Sequence, residues 1–128
     1  MQPEPRIRRV AIADDSAAFL SAAASYVTTL PGFQLAGVAR TAPQTIDLVE
    51  KSMPDVLILD LRLAPKRGEL LRRVKSTPAA PAVVAVTLFD TPEAAAAAKL
   101  AGADELVGKV SFISGLARAL ARLFPSAA

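Results

Sequence analysis

Asp55-Val56-Leu57-Ile58-Leu59-Asp60-Leu61, with Pro54 before it and Arg62 after, decides the fold. Four apolar residues run together at its centre, and two of them are β-branched. A strand with one wet face alternates apolar and polar residues; an unbroken run reads as a strand covered on both faces. Such strands belong to parallel sheets, whose crossovers place helices on both sides. Asp55 to Leu61 is therefore predicted as a central strand that ends near an acidic residue.

Working outward, the segments alternate. Upstream, Thr41-Ala42-Pro43-Gln44 has the form of a capping box. Ala42, Ile46, Val49 and Met53 then make one helical face, and Pro54 ends it. Phe33 to Ala39 reads as a strand, and Pro31-Gly32 closes the helix before it. That helix is capped by Ser16 and carries Phe19, Leu20, Ala23, Ala24, Val27 and Leu30 at helical spacing. Ile7 to Ala13 is the first strand. Downstream, Lys66 to Lys75 is a helix packed through Leu70, Leu71 and Val74, and Ala82 to Thr87 is the fourth strand. Thr91-Pro92-Glu93 starts a helix that includes the alanines 94–98 and ends at Gly102. Glu105 to Val110 is a fifth strand. Ser111 opens a last helix with Ile113, Leu116, Leu120 and Leu123 inward. Five β–α pairs in order predict an α/β fold, a doubly wound five-stranded parallel sheet. Its ligand site lies outside the carboxyl ends of the strands.

Composition narrows the chemistry. The 128 residues include 15 Lys+Arg and 12 Asp+Glu, a net charge of +3, and no Cys, His or Trp. Disulfides, thiolate nucleophiles, Ser-His-Asp triads and His- or Cys-bound metals are excluded. The available oxygen ligands suit a hard cation such as Mg²⁺. With 52% hydrophobic residues the chain has material for one core. The pI near 9.7 suggests nucleic acid, but three surplus charges and 5% aromatic residues argue against it. The polar start, residues 1–6, reads as a disordered lead-in, residues 7–124 as one domain and 125–128 as a short tail. With no secretory signal and no apolar run of ~20 residues, a cytoplasmic protein is expected.

The predicted strand ends carry Asp14-Asp15, Asp60, Thr87 and Lys109. Each has an ordinary reading alone: a helix N-terminus, a turn, a β-former, a solvated lysine. Together they bring three carboxylates, a hydroxyl and an ammonium to one sheet edge. Three like charges need a cation, and a divalent ion with open positions awaits a phosphate oxygen.

These residues resemble the receiver domains of two-component response regulators, over Arg8 to Phe124. Val10-Ala11-Ile12-Ala13-Asp14-Asp15-Ser16 is similar to the family's first strand and acidic pair. Asp55 to Arg62 is similar to its third strand and phosphoacceptor. Gly68 and Ala101-Gly102-Ala103-Asp104 fit as well, and Leu30-Pro31-Gly32-Phe33 is reminiscent of members with a helix-turn-helix output domain. The resemblance implies a flavodoxin-like three-layer sandwich and a phosphorelay role. Asp60 would accept a phosphoryl group from a histidine kinase or phosphotransfer protein. Asp15, Asp60 and the Arg62 carbonyl would ligate Mg²⁺, with Asp14 acting through water. Thr87 and Lys109 would contact the phosphoryl group. The implied role is a signalling phosphoacceptor, with no turnover enzyme activity beyond its own phosphorylation and dephosphorylation. Its partner face, for an effector or output domain or a second copy, would be the fourth helix, fifth strand and fifth helix, with Glu93, Lys99, Arg118 and Arg122 exposed. Neither membrane nor direct nucleic-acid binding is expected.

The sequence departs from the family at four places. Val110 follows Lys109 where Pro with a cis bond is usual, so a trans bond is predicted. Leu106 replaces the aromatic switch residue, and Leu88 a small residue beside Thr87. The loop after Asp60 is basic, with Arg62, Lys66 and Arg67, and Arg72, Arg73 and Lys75 follow. Arg62 and Phe89 would flank the path of attacking water. The departures leave a second reading open, a degenerate receiver that works as an interaction module without phosphorylation. A small hydrolase with an Asp nucleophile is a third, but no general-acid motif or cap domain accompanies Asp60.

Overall fold

The computed structural model describes residues 6–63 and 68–125. Five strands, β1 (Arg8–Ala13), β2 (Phe33–Ala39), β3 (Val56–Asp60), β4 (Ala82–Thr87) and β5 (Glu105–Gly108), form one parallel sheet in the order β2-β1-β3-β4-β5. Five helices join and follow them: α1 (Ala17–Thr29), α2 (Ala42–Ser52), α3 (Glu69–Lys75), α4 (Pro92–Ala101) and α5 (Phe112–Leu123). All five residues of β3 are buried, as its unbroken apolar run requires.

Side-chain alternation divides the core. Val10, Ile12, Val56, Ile58, Val84, Val86 and Val107 pack with α1 and α5. Ala11, Ala13, Leu57, Leu59, Val83 and Ala85 pack with α2, α3 and α4. The result is a three-layer sandwich. Burying each Val, Leu or Ile in these layers contributes roughly 1.5–3 kcal/mol.

Local signals set the helix ends. The Ser16, Thr41 and Thr91 hydroxyls accept hydrogen bonds from the amides of Phe19, Gln44 and Ala94. Gln44 reaches back to the Arg40 amide, one residue earlier than the Thr41 amide of a strict capping box. Gly102 closes α4 at φ 111°, a left-handed conformation that favours glycine.

Several expectations need correction. Ile113 is 60% exposed, and Phe112 is buried in its place, edge-on to Phe19 with ring centroids 4.9 Å apart. Met53 leaves the α2 face: it is a left-handed cap at φ 44°, exposed, because Pro54 disfavours right-handed helix in the residue before it. β5 stops at Gly108, so Lys109 lies one residue past the strand, its amide still bonded to the Thr87 carbonyl at 2.8 Å. Lys75 is no free member of a basic face; it donates to Asp104 at 2.6 Å and to the Pro81 carbonyl at 2.9 Å. α3 begins at Glu69; Lys66 and Arg67 of the predicted helix and basic loop lie outside the described residues, as do residues 1–5 of the lead-in and 126–128 of the tail. The Lys109–Val110 bond is trans, as expected.

Candidate functional site

Strand order reverses between β1, which leads to β2 on one side, and β3 on the other. That reversal opens a crevice at the carboxyl edge, where doubly wound sheets bind ligands. Ala13 pairs with Leu59, so Asp14 follows β1 beside Asp60 at the end of β3. Alternation sends Asp60 to the face of Ile58, and the same parity past β1 and β5 carries Asp14 and Lys109 there. This is the α1–α5 face.

The side chains meet. Asp14 is completely buried and Asp60 is 2% exposed. Lys109 Nζ lies 2.8 Å from Asp14 Oδ2 and 3.0 Å from Asp60 Oδ2. The Lys109 ammonium also sits 4.5 Å from the centre of the Phe19 ring, a cation–π contact that holds it from the α1 side. Asp60 Oδ1 accepts from the Arg62 amide at 2.8 Å, within a 3-10 turn over Leu61–Leu63. The Arg62 side chain then folds back. Its guanidinium donates to Asp60 Oδ2 through Nε at 3.2 Å and Nη2 at 3.1 Å, and to Asp15 Oδ1 at 3.1 Å. Arg40 donates to the Asp15 carbonyl at 2.9 Å.

The electrostatics separate the two buried carboxylates. Burial raises the Asp14 pKa, more than the Lys109 contact and the Ser16 amide lower it, and nearby Asp60 raises it further. Burial acts the same way on Asp60 but is outweighed by the Arg62 amide, Lys109 and the Arg62 guanidinium, so its pKa falls below the usual carboxylate value. Asp60 is thus held ionised. Burial lowers the Lys109 pKa, and its two carboxylate partners reverse this to a net rise.

Oxygens of Asp14, Asp15 and Asp60 lie within 4.8 Å of one another. Asp14 Oδ2 is buried and, despite the ion contact with Lys109, has no aligned hydrogen-bond donor. A buried carboxylate oxygen without a donor, in a set of hard oxygen ligands, fits a Mg²⁺ site.

Thr87 is placed differently. It ends β4 at the same sheet edge, beside Gly108, but has the parity of Ala85 and so faces the α2–α4 layer. Its hydroxyl accepts from the Phe89 amide at 3.3 Å, and among the described residues no hydrogen bond joins it to the carboxylates. Phe89 is 75% exposed and Leu88 half exposed beside it. Leu106 is partly buried against the α2–α4 layer and lines a groove of about 290 Å³ between α4 and β5.

The resemblance implies a role for the Arg62 carbonyl and gives no sign of its side-chain bridge. The signal was present in an arginine two residues past a strand-end aspartate. The Phe19 contact left no local signal, because Lys109 is ninety positions away.

The family model of the response regulator receiver domain matches residues 10–121. A protein-glutamate methylesterase/protein-glutamine glutaminase 5 of Myxococcus xanthus is 39% identical over 103 residues, 79% of this chain and 30% of that protein. The corresponding protein 3 of Shewanella oneidensis is 33% identical, over 79% of this chain and 29% of its own length. The chain thus spans about 30% of these curated relatives. The crystal structure of the P1 domain of CheA3 in complex with CheY6 from R. sphaeroides superposes with a TM-score of 0.81 at 26% identity, covering 94% of this chain and 99% of that one. The response regulator domain of Thermotoga maritima CheB gives 0.77 at 20% identity, covering 95% and 96%, a likeness of fold. The family match begins inside β1 and ends inside α5, so it takes in the acidic crevice and every strand that builds it: the chain belongs to the response regulator receiver domains.

Proposed function

We propose that Asp60 is the phosphoacceptor of a two-component phosphorelay. The observation that carries the reading is a buried carboxylate at the strand-order reversal, paired with Lys109 and flanked by Asp14 and Asp15. An Asp60 oxygen attacks phosphorus in a phosphohistidine or a small acyl phosphate. The P–N or P–O bond breaks, the leaving group departs with its electron pair, and Asp60 becomes an acyl phosphate. The chain has no histidine, consistent with a donor imidazole supplied by the partner. Lys109 neutralises charge on the transferring oxygens, and Phe19 keeps the ammonium in place. Asp15, Asp60 and the Arg62 carbonyl would hold Mg²⁺, with Asp14 acting through water. Bound there, the ion would neutralise phosphoryl charge. Thr87 would contact the phosphoryl group after leaving the Phe89 amide. The added charge, roughly −1.5 to −2, would draw Thr87 toward it, with Lys109 already in reach of the Asp60 oxygens.

The proposed donor is a histidine kinase or phosphotransfer domain, the kind of pairing named for the CheA3–CheY6 complex. The proposed effector face is α4–β5–α5. Glu93, Lys99 and Arg118 are exposed there, and Arg122 is exposed but paired to Glu105 at 2.6 Å. Among the described residues no helix is long and apolar enough to cross a membrane.

The test is incubation with Mg²⁺ and acetyl phosphate, read by intact mass. A gain of one phosphoryl group by the wild type and none by Asp60→Asn is expected. A wild type that stays unmodified, and shows no amide shifts with beryllofluoride, would refute phosphoacceptance and leave the phosphorylation-independent reading.

A further inference from the structure

The Arg62 side chain occupies the ground on which the proposed metal and phosphoryl group must meet. One guanidinium nitrogen reaches both Asp15 Oδ1 and Asp60 Oδ2, each at 3.1 Å, and Nε adds a second bond to Asp60 Oδ2. With the backbone amide on Oδ1 and Lys109 on Oδ2, every oxygen of Asp60 is engaged. Asp15 and Asp60 are also the two carboxylates proposed as direct ligands. The Nε/Nη2 fork closes on one Asp60 oxygen while Nη2 also holds Asp15, a planar arrangement that a point charge reproduces less well.

Charge counting leads to the same place. Asp14, Asp15 and Asp60 carry three negative charges, and Lys109 offsets one. The remaining two match a divalent ion. Arg62 offsets one of them, so a divalent ion entering beside it would leave the cluster with a positive excess. The guanidinium is half exposed, with 54% of its side chain open to solvent. It is therefore free to swing away, whereas Lys109, 12% exposed and fixed over Phe19, is not.

We infer that Arg62 is a built-in competitor of the metal: its guanidinium bridges Asp15 and Asp60 in the ion-free domain and must be displaced for Mg²⁺ to bind. The inference rests on the proposed metal site and adds a control on its loading. Arg62 is a positioning residue in this sense, acting on the acceptor through its hold on two carboxylates. Its carbonyl and its side chain have opposite effects: the carbonyl helps hold the ion, and the side chain opposes its entry.

The experiment is a Mg²⁺ titration of the full chain, without any phosphodonor, followed by amide shifts of Asp14, Asp15 and Arg62 and by calorimetry. Wild type, Arg62→Ala, Arg62→Lys and Arg40→Ala are compared. Arg62→Ala keeps the backbone carbonyl and is expected to bind Mg²⁺ roughly three- to tenfold more tightly, the range open to one exposed ion pair and one whose carboxylate alone is buried. Arg62→Lys should fall between the two. Arg40→Ala removes an equal charge from the rim, one that donates to the Asp15 carbonyl and, among the described residues, makes no ion pair with the three carboxylates, and should change affinity less than Arg62→Ala. The gap between wild type and Arg62→Ala should narrow as KCl is raised, because the guanidinium is exposed. Equal affinity of wild type and Arg62→Ala, or an equal gain from Arg40→Ala, would overturn the inference and leave the metal site standing. A folded Arg62→Ala and wild type that both fail to bind Mg²⁺ would refute the metal site and the inference together.

Discussion

Replacing Asp14 with Asn should stabilise the ion-free domain. Asp14 is fully buried, and burial lifts its pKa by more than its partners lower it. Holding it ionised at neutral pH therefore opposes folding. Asn has nearly the same shape. Its oxygen can still accept from the Ser16 amide, now 2.8 Å away, while its amide nitrogen takes the place of Oδ2 and can donate toward Asp60 once the Lys109 ammonium shifts from it onto Asp60. The loss is the Lys109 contact at 2.8 Å, and Lys109 keeps Asp60 as a partner. Replacing a whole buried ion pair with neutral groups often gains about 1–4 kcal/mol, whereas removing one partner strands the other; here Lys109 keeps Asp60, so only the lower end of the gain survives. The expected net gain is ~1 kcal/mol, or roughly 3–5 °C in Tm for a domain of this size. The sign with pH follows from linkage. Below the unfolded carboxyl value of about 3.9, Asp14 is protonated in both states and the gain is absent. As pH rises through the raised folded value, the folded wild type ionises Asp14 at a cost, and the gain grows to a plateau. Thermal melts by circular dichroism in EDTA, from pH 3.5 to 8, measure this directly. Adding Mg²⁺ should narrow the gap, because wild type then gains binding energy through an intact acidic set. An Asp14→Asn variant less stable than wild type at pH 7 in EDTA, or a gain with no dependence on pH, would refute the reasoning.

Two further substitutions probe the same region. Lys109→Met leaves Asp14 and Asp60 without their shared buried cation and should cost ~2–3 kcal/mol at pH 7 in EDTA, less than a fully buried pair because Asp14 can take up a proton; the Lys109 pKa is raised in the fold, so the wild-type advantage should hold below about pH 10.4 and fade as pH climbs through the folded value, which alkaline urea titrations would show. Gly115→Val should destabilise the domain by about 1–3 kcal/mol in urea unfolding, since a Cβ at Gly115 would come within 2.8 Å of Val107 Cγ1 and push α5 off β5.

What the sequence displayed of the fold was local. β2 and β4 begin and end where their apolar runs do, and α4 lies between its capping threonine and its glycine, because those signals act within a few residues. The misplacements share a different cause. Leu116 and Leu120 are compatible with either Phe112 or Ile113 as the inward residue of the preceding turn. The choice falls to the Phe19 ring, which meets Phe112 edge-on from another helix. Met53 follows the period of α2, yet the proline after it removes the helical conformation that would point it inward. The site was legible as a set of strand-end residues because parallel register needs no side-chain knowledge. Its interior was not, since the Arg62 bridge and the Phe19–Lys109 stack depend on rotamers that no spacing encodes.

Parity also bears on how a signal could leave the site. Asp14, Asp60 and Lys109 belong to the α1–α5 face. Thr87 and Leu106 belong to the opposite one, where α4 packs. A charge change on Asp60 therefore reaches α4 only by crossing the sheet edge, and Thr87, last residue of β4 and neighbour of Gly108, stands at that crossing. Its hydroxyl is bonded to the Phe89 amide, so movement toward a phosphoryl group would release the segment that leads into α4. The next residue on that path is Leu106, paired through β4 with Ala85 and lining the groove against Ala98 and Lys99. An isobutyl group there has neither the area nor the rigid plane of an aromatic ring. In the proposed phosphorelay role, coupling would then pass through the Leu88–Asp90 backbone more than through a side chain that changes place, and the exposed Leu88 and Phe89 are the apolar surface such a movement would rearrange.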